Sequence, residues 1–176
     1  MRYADTLHLV ERLPARRPAP TLPSRLDELF ERLAASASET EALAIEDEIW
    51  SAWMYDGREE AEAALDRAAA DLAARRFDIA ETRLVRLVRG RPDWAEAWNK
   101  LATLYYMMER DDESVAAIHR TLEIEPRHFG ALAGLGEILR GQGEREPALL
   151  AFGRALRVHP HLAGVRESLR SLTDTP

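Results

Sequence analysis

The chain has no cysteine, which excludes disulfides, thiolate nucleophiles and cysteine-ligated zinc. It has almost no lysine: Lys100 stands alone among 24 basic residues, a bias expected of a GC-rich bacterial source. Long apolar runs are missing. None approaches the ~18 residues of a membrane span, and the first twenty residues lack the continuous apolar stretch of a secretory signal. A cytoplasmic protein without a membrane partner is expected. Positive charge is in deficit, with a formal net charge of −7. Proteins that grip phosphate backbones bring positive charge to release counterions, so a nucleic-acid partner is not expected.

Catalytic signatures are missing too. No HExxH and no Gly-x-Ser-x-Gly occurs. Gly134-Leu135-Gly136 and Gly141-Gln142-Gly143 resemble phosphate loops only superficially, because no strand precedes either. The histidines are His8, His119, His128, His159 and His161. His159-Pro160-His161 places two imidazoles one residue apart without the further ligands zinc needs, and Pro160 has another use. No enzyme, metal or cofactor is expected. His128 reads as closing a helix junction.

What is present is a repeat. Pro92, Pro126 and Pro160 are 34 apart, as are Ala68, Ala102 and Gly136, and Ala80, Ser114 and Ala148. Leu84, Ile118 and Phe152 keep the same spacing, as do Leu87, Thr121 and Ala155. In the middle copy Trp98, Leu101, Ala102 and Tyr105 fall at i, i+3, i+4 and i+7, one stripe of a helix. Val115, Ile118 and Leu122 form a second stripe after the polar break Glu109 to Asp112. Each unit is thus a helix, a turn and a second helix. Small residues let the two helices approach, and the proline, without an amide proton, ends the unit. One such hairpin cannot bury its own apolar face, whereas stacked copies can.

These registers resemble the tetratricopeptide-repeat (TPR) family, in the form of a short bacterial TPR protein. The middle copy carries Trp98, Leu101, Ala102, Tyr105, Ser114, Ile118, Thr121 and Pro126 in the family's positions, and the third Leu132, Leu135, Gly136, Leu139, Ala148, Phe152, Ala155 and Pro160. The first keeps Ala68, Ala80, Leu84 and Pro92 but has Arg67 and Asp71 where leucine and tyrosine are usual. The resemblance implies an all-α protein, a right-handed α-α superhelix with an N-terminal helical hairpin and a C-terminal capping helix. The expected division is a basic, proline-rich tail over 1–23, a hairpin over 24–57, repeats over 58–162 (61–94, 95–128 and 129–162), and a capping helix over 163–176. The hairpin reads as a degenerate repeat or a cap, since Glu46 falls where a small residue belongs. Ser24 with Asp27 fits a capping box loosely, and Ser38 with Glu41 fits it well. Trp50 and Trp53 are expected in the core, with an exposed aromatic patch as the alternative. Tyr3, Leu7 and Val10 read as a short helix, and the tail is expected to be mobile, with docking on the chain's own groove or on a partner as the alternatives. Val165, Leu169 and Leu172 are expected to cover the open end of the array.

The resemblance further implies a protein or peptide partner, held on the concave side by the first helix of each repeat. Advancing one residue from the core stripe, about 100° around a helix, selects Asn99, Thr103 and Tyr106 in the middle copy. Leu65 and Leu72 in the first, Glu137 and Arg140 in the third, and the adjacent Met107 complete the expected groove. Asn99 is assigned to the peptide backbone. A clamp for acidic chaperone tails is not expected, because Lys100 is the only cation in the clamp registers. The expected role is an adaptor, scaffold or assembly factor. A self-assembling subunit, hence a homo-oligomer, is the alternative.

Overall fold

A computed structural model describes residues 3–174, all of the secondary structure there being helical. Met1, Arg2, Thr175 and Pro176, the ends of the expected tail and capping segment, lie outside the described residues. The helices are α1 (Tyr3–Arg12), α2 (Arg25–Ala35), α3 (Glu39–Met54), α4 (Glu59–Ala73), α5 (Phe77–Gly90), α6 (Ala95–Met107), α7 (Asp111–Ile124), α8 (Phe129–Gly141), α9 (Arg145–Val158) and α10 (Ala163–Asp174), with a 3-10 turn at Leu13–Ala15.

The pairs α4–α5, α6–α7 and α8–α9 form a right-handed TPR superhelix. Within each pair the helices meet at the small registers. Ser114 Oγ donates to the Ala102 carbonyl at 2.8 Å, and Gly136 lies under the Phe152 ring. Each intra-repeat turn closes identically: the amides of Arg76, Arg110 and Glu144 donate back to the carbonyls of Asp71, Tyr105 and Leu139 at 2.8, 2.8 and 2.9 Å. The residue before each is left-handed: Arg75 (φ 56°), Glu109 (φ 59°) and Gly143 (φ 78°). Only the third copy fills that position with glycine.

The departures of the first copy are absorbed by charge. Asp71, buried where an aromatic is usual, bonds to Arg76 at 2.7 Å and Arg83 at 2.8 Å. Those bonds hold its carboxyl below the usual range, Arg76 foremost, against the upward push of burial. Arg67 is solvated on the end face of the array.

Successive first helices touch, α4 on α6 and α6 on α8, while no comparable packing joins α5 to α7 or α7 to α9 among the described residues. The stack therefore bends toward α4, α6 and α8, which form its concave wall.

The outer gap between α7 and α9 is filled by α1, which corrects the expectation of a mobile tail. Leu9, Val10 and Leu13 are buried in the core of the last two repeats, and Thr6 Oγ1 meets His119 Nδ1 at 3.1 Å. The linker then crosses the stack, its Ala19 amide donating to the Ile124 carbonyl at 2.8 Å. Burial of one helical stripe (Thr6, Leu9, Val10, Leu13) is what orders a segment this short.

The hairpin α2–α3 does not stack on α4 as a further repeat. It lies across the junctions between repeats. Arg91, Arg127 and His159, from three junctions, hold Asp56, Asp27 and Glu46 at 2.6, 2.6 and 2.9 Å. Trp53 stacks on His128 with centroids 4.0 Å apart and planes 8° from parallel, and it packs on Phe129 in a cluster with Phe30 and Ile49. The physical reason lies in α3: Glu46 bars a close helix pair, while its aromatic stripe needs an apolar partner and finds one at the junctions. Ser38 caps α3, accepting the Glu41 amide at 3.2 Å, while Glu41 accepts that of Ala37 at 3.0 Å. Ser24 makes no side-chain cap, and Asp27 is instead committed to Arg127. At the far end α10 packs on α9 through Val165, Leu169 and Leu172.

Candidate functional site

The concave wall opens into a slot between α6 and α8, a chamber of about 160 Å³. Asn99, Ala102, Thr103 and Tyr106 of α6 form one side, and Gly130, Ala131, Gly134 and Ile138 of α8 the other. Ser114 and Ile118 of α7 line the remainder. The slot exists because α8 has no side chain at Gly134, whereas at Gly130, one turn earlier, the Trp50 ring takes the space, 2.8 Å from where a Cβ would stand. A Cβ added at Gly134 would find only Ile118 Cδ1, at 3.9 Å. Tyr106 stands half exposed (48%) at the rim.

Three of the residues expected in the groove meet there: Asn99, Thr103 and Tyr106. Asn99 requires a correction, because it is buried and its amide nitrogen donates to Glu96 Oε2 at 3.1 Å. One N–H of that amide is therefore committed within the protein rather than held free for a peptide backbone. Leu65 and Leu72 are also corrected. Both are buried in the core shared with α6, against the side of Ala97 and Leu101. Each first helix buries its next-repeat face as well as its partner face, so one step around α4 still lands inside. Met107 packs against the same core. Glu137 is turned toward α10, where it accepts from Ser168 Oγ at 2.6 Å, and Arg140 Nη2 sits 2.6 Å from its other oxygen. The structure therefore does not bring Leu65, Leu72, Met107, Glu137 and Arg140 to the slot.

Beneath one end of the slot is a charged group, at Glu96 beside the expected groove, whose burial sequence reasoning missed. Glu96 is fully buried, with Lys100 Nζ at 2.7 Å and His128 Nε2 at 3.0 Å. His128 Nδ1 accepts the Ala131 amide at 3.2 Å, capping α8, which leaves the ring proton on Nε2 to be donated to Glu96. Burial pushes the Glu96 carboxyl up, but the bonds from His128 and Lys100 outweigh it and hold the group below its usual value. Lys100 is also covered by the Trp50 ring, 5.6 Å from its centroid. The sole lysine of the wall is thus neutralised and shielded. The spacing Glu96–Lys100 was visible as an i, i+4 pair; its burial was not.

Trp53 is in the core, while Trp50 is half buried, donating to Glu46 Oε1 at 3.0 Å and resting on Gly130. His159 and His161 hold the hairpin: His161 Nε2 lies 3.2 Å from the Ser36 carbonyl. No set of three metal-ligating side chains converges among the described residues, and no helix there is long and apolar enough to cross a membrane.

A TPR repeat-containing protein of Rhizobium etli is 33% identical over 150 residues, which cover 85% of this chain and 74% of that protein. The chain belongs to the TPR repeat family. No protein-family profile matches it. Among solved structures, the first TPR of Spaghetti (RPAP3), bound to the HSP90 peptide SRMEEVD, superposes with a TM-score of 0.62 at 13% identity over 64% of this chain and 90% of that one. MamA superposes with a TM-score of 0.61 at 15% identity, over 97% of this chain and 82% of MamA. At such identities these two share the TPR fold.

Proposed function

We propose that this TPR protein is an interaction module, an adaptor or assembly factor, that holds a segment of another protein along its concave wall, with one apolar side chain of that segment in the slot between α6 and α8. The observation that carries the reading is the chamber itself. It is walled mainly by apolar groups and left open where α8 carries Gly134. Apolar cavities of about 150 Å³ accept guests as large as benzene, so a leucine, methionine or phenylalanine side chain suits this one. Burying such a side chain contributes about 1.5–3 kcal/mol, roughly 10- to 100-fold in affinity.

An acidic tail is a poor fit, because Lys100 already serves Glu96 and lies under Trp50. The peptide in the Spaghetti complex is acidic near its C-terminus, so a shared fold does not here imply a shared ligand.

A phage-displayed peptide library selected on the full chain tests this. Enriched peptides are expected to share one invariant apolar position. They are expected to lose at least tenfold in affinity for Gly134→Leu, whose side chain fills the slot, while thermal unfolding of that variant stays near wild type. Peptides that bind the variant unchanged, or that enrich acids instead of an apolar anchor, refute the reading.

A further inference from the structure

A second pocket, of about 200 Å³, lies where the hairpin meets the first junction, and it shares no lining residue with the slot. Trp53, Tyr55 and Trp94 give it aromatic walls, and Asp56, Arg91 and Asp93 give it charge. Its charges are unbalanced. Arg91 reaches Asp56 Oδ1 at 2.6 Å and Asp93 Oδ1 at 3.9 Å, so two carboxylates share one guanidinium. Arg58 and Glu62 nearby add one charge of each sign. The Asp56 side chain is only 3% exposed, yet its Oδ2 has no hydrogen-bond partner among the described residues. A buried carboxylate oxygen left unpaired costs free energy, which a donor in the pocket would recover. Burial pushes the Asp56 carboxyl above its ordinary value, ahead of the opposing pull of Arg91, as expected where compensation is incomplete. Tyr55, 57% exposed, is among the most exposed large apolar side chains described.

We propose that this pocket binds an organic ammonium, whose N–H donates to Asp56 Oδ2 and whose alkyl stem and charge lie against the rings of Trp53, Tyr55 and Trp94. Aromatic walls attract cations through the negative faces of their rings, and a carboxylate completes the pairing. Two sources carry this chemistry: a free alkylamine, and the lysine side chain of another protein.

The four tryptophan indole N–H groups provide the readout. The Trp53 Nε1–H has no acceptor among the described residues and that of Trp94 donates to the Trp53 carbonyl at 2.8 Å, so both report on the pocket. The ¹⁵N-labelled full chain is titrated with n-butylammonium, with Nα-acetyl-lysine methylamide, and with the neutral norleucine analogue. Saturable shifts of the Trp53 and Trp94 indoles are expected with the two cations and not with norleucine. Binding is expected to weaken about tenfold or more in Asp56→Asn, the loss of one charge-assisted hydrogen bond. It is expected to weaken about threefold in Tyr55→Ala, whose exposed position leaves the fold intact. Tighter binding of the lysine derivative identifies a protein lysine as the source, and equal binding a free amine. Shifts that do not saturate, a norleucine response equal to that of the cations, or Tyr55→Ala indistinguishable from wild type overturn the proposal even if Asp56→Asn fails to fold.

Discussion

Two glycines on α8, two residues apart, are predicted to respond oppositely to the same substitution. In Gly136→Ala the new Cβ would lie 2.4, 2.5 and 2.8 Å from Cε1, Cδ1 and Cζ of Phe152. Ordinary carbon–carbon separations are about 3.5–4.0 Å, so ring or helix must move by about 1 Å. Phe152 is fully buried in the core of the last two repeats, where close packing resists movement of the ring. Overpacking of this kind costs about 1–3 kcal/mol. Alanine in place of glycine returns roughly 0.5–1 kcal/mol of helix propensity. The net is a destabilisation of up to about 2.5 kcal/mol, or up to roughly 10 °C in Tm for a chain of this size. At Gly134 the only neighbour is Ile118 Cδ1 at 3.9 Å, so the alanine gains propensity without a clash and stabilises by about 0.5–1 kcal/mol. Urea unfolding followed by circular dichroism, compared at constant m-value, separates the two. A Gly136→Ala variant as stable as Gly134→Ala would refute the claim that this register is glycine because the ring touches the helix backbone.

Arg75 and Glu109 occupy the left-handed turn position that Gly143 fills in the third repeat. Replacing either with glycine is expected to stabilise the protein by about 1 kcal/mol, read from thermal melts. Glu96→Ala removes the shared partner of Lys100, His128 and Asn99 from the interior, and a loss of about 3–5 kcal/mol is expected in chemical denaturation. His119, under α1, is held below its ordinary value by burial, so the unfolded chain binds more protons than the folded one as pH falls through about 6.5. The contribution of His119 is therefore full above that pH and lost below it. Protection factors of the α1 amides, corrected for the intrinsic pH dependence of exchange, are expected to be lower at pH 5.5 than at pH 8, and equal protection at both would count against this.

By itself the sequence determined the repeat. Registers 34 residues apart fix where each helix pair starts, closes and turns, because helix periodicity, a small contact residue and a terminating proline are local or near-neighbour constraints. The rim of the slot was partly legible for the same reason: Thr103 and Tyr106 follow from the angle between neighbouring residues of a helix. Tertiary structure decided what that angle could not. Leu65, Leu72 and Asn99 went inside because each first helix also buries the face turned to the next repeat, a second contact invisible in a single hairpin. Gly134 became an opening only because α6 stands opposite it, while Gly130 was covered by Trp50 from the distant hairpin. The tail and the hairpin were placed by long-range pairings, Thr6 with His119 and Trp53 with His128, between residues far apart in the chain, and no local rule of propensity or spacing encodes such a meeting.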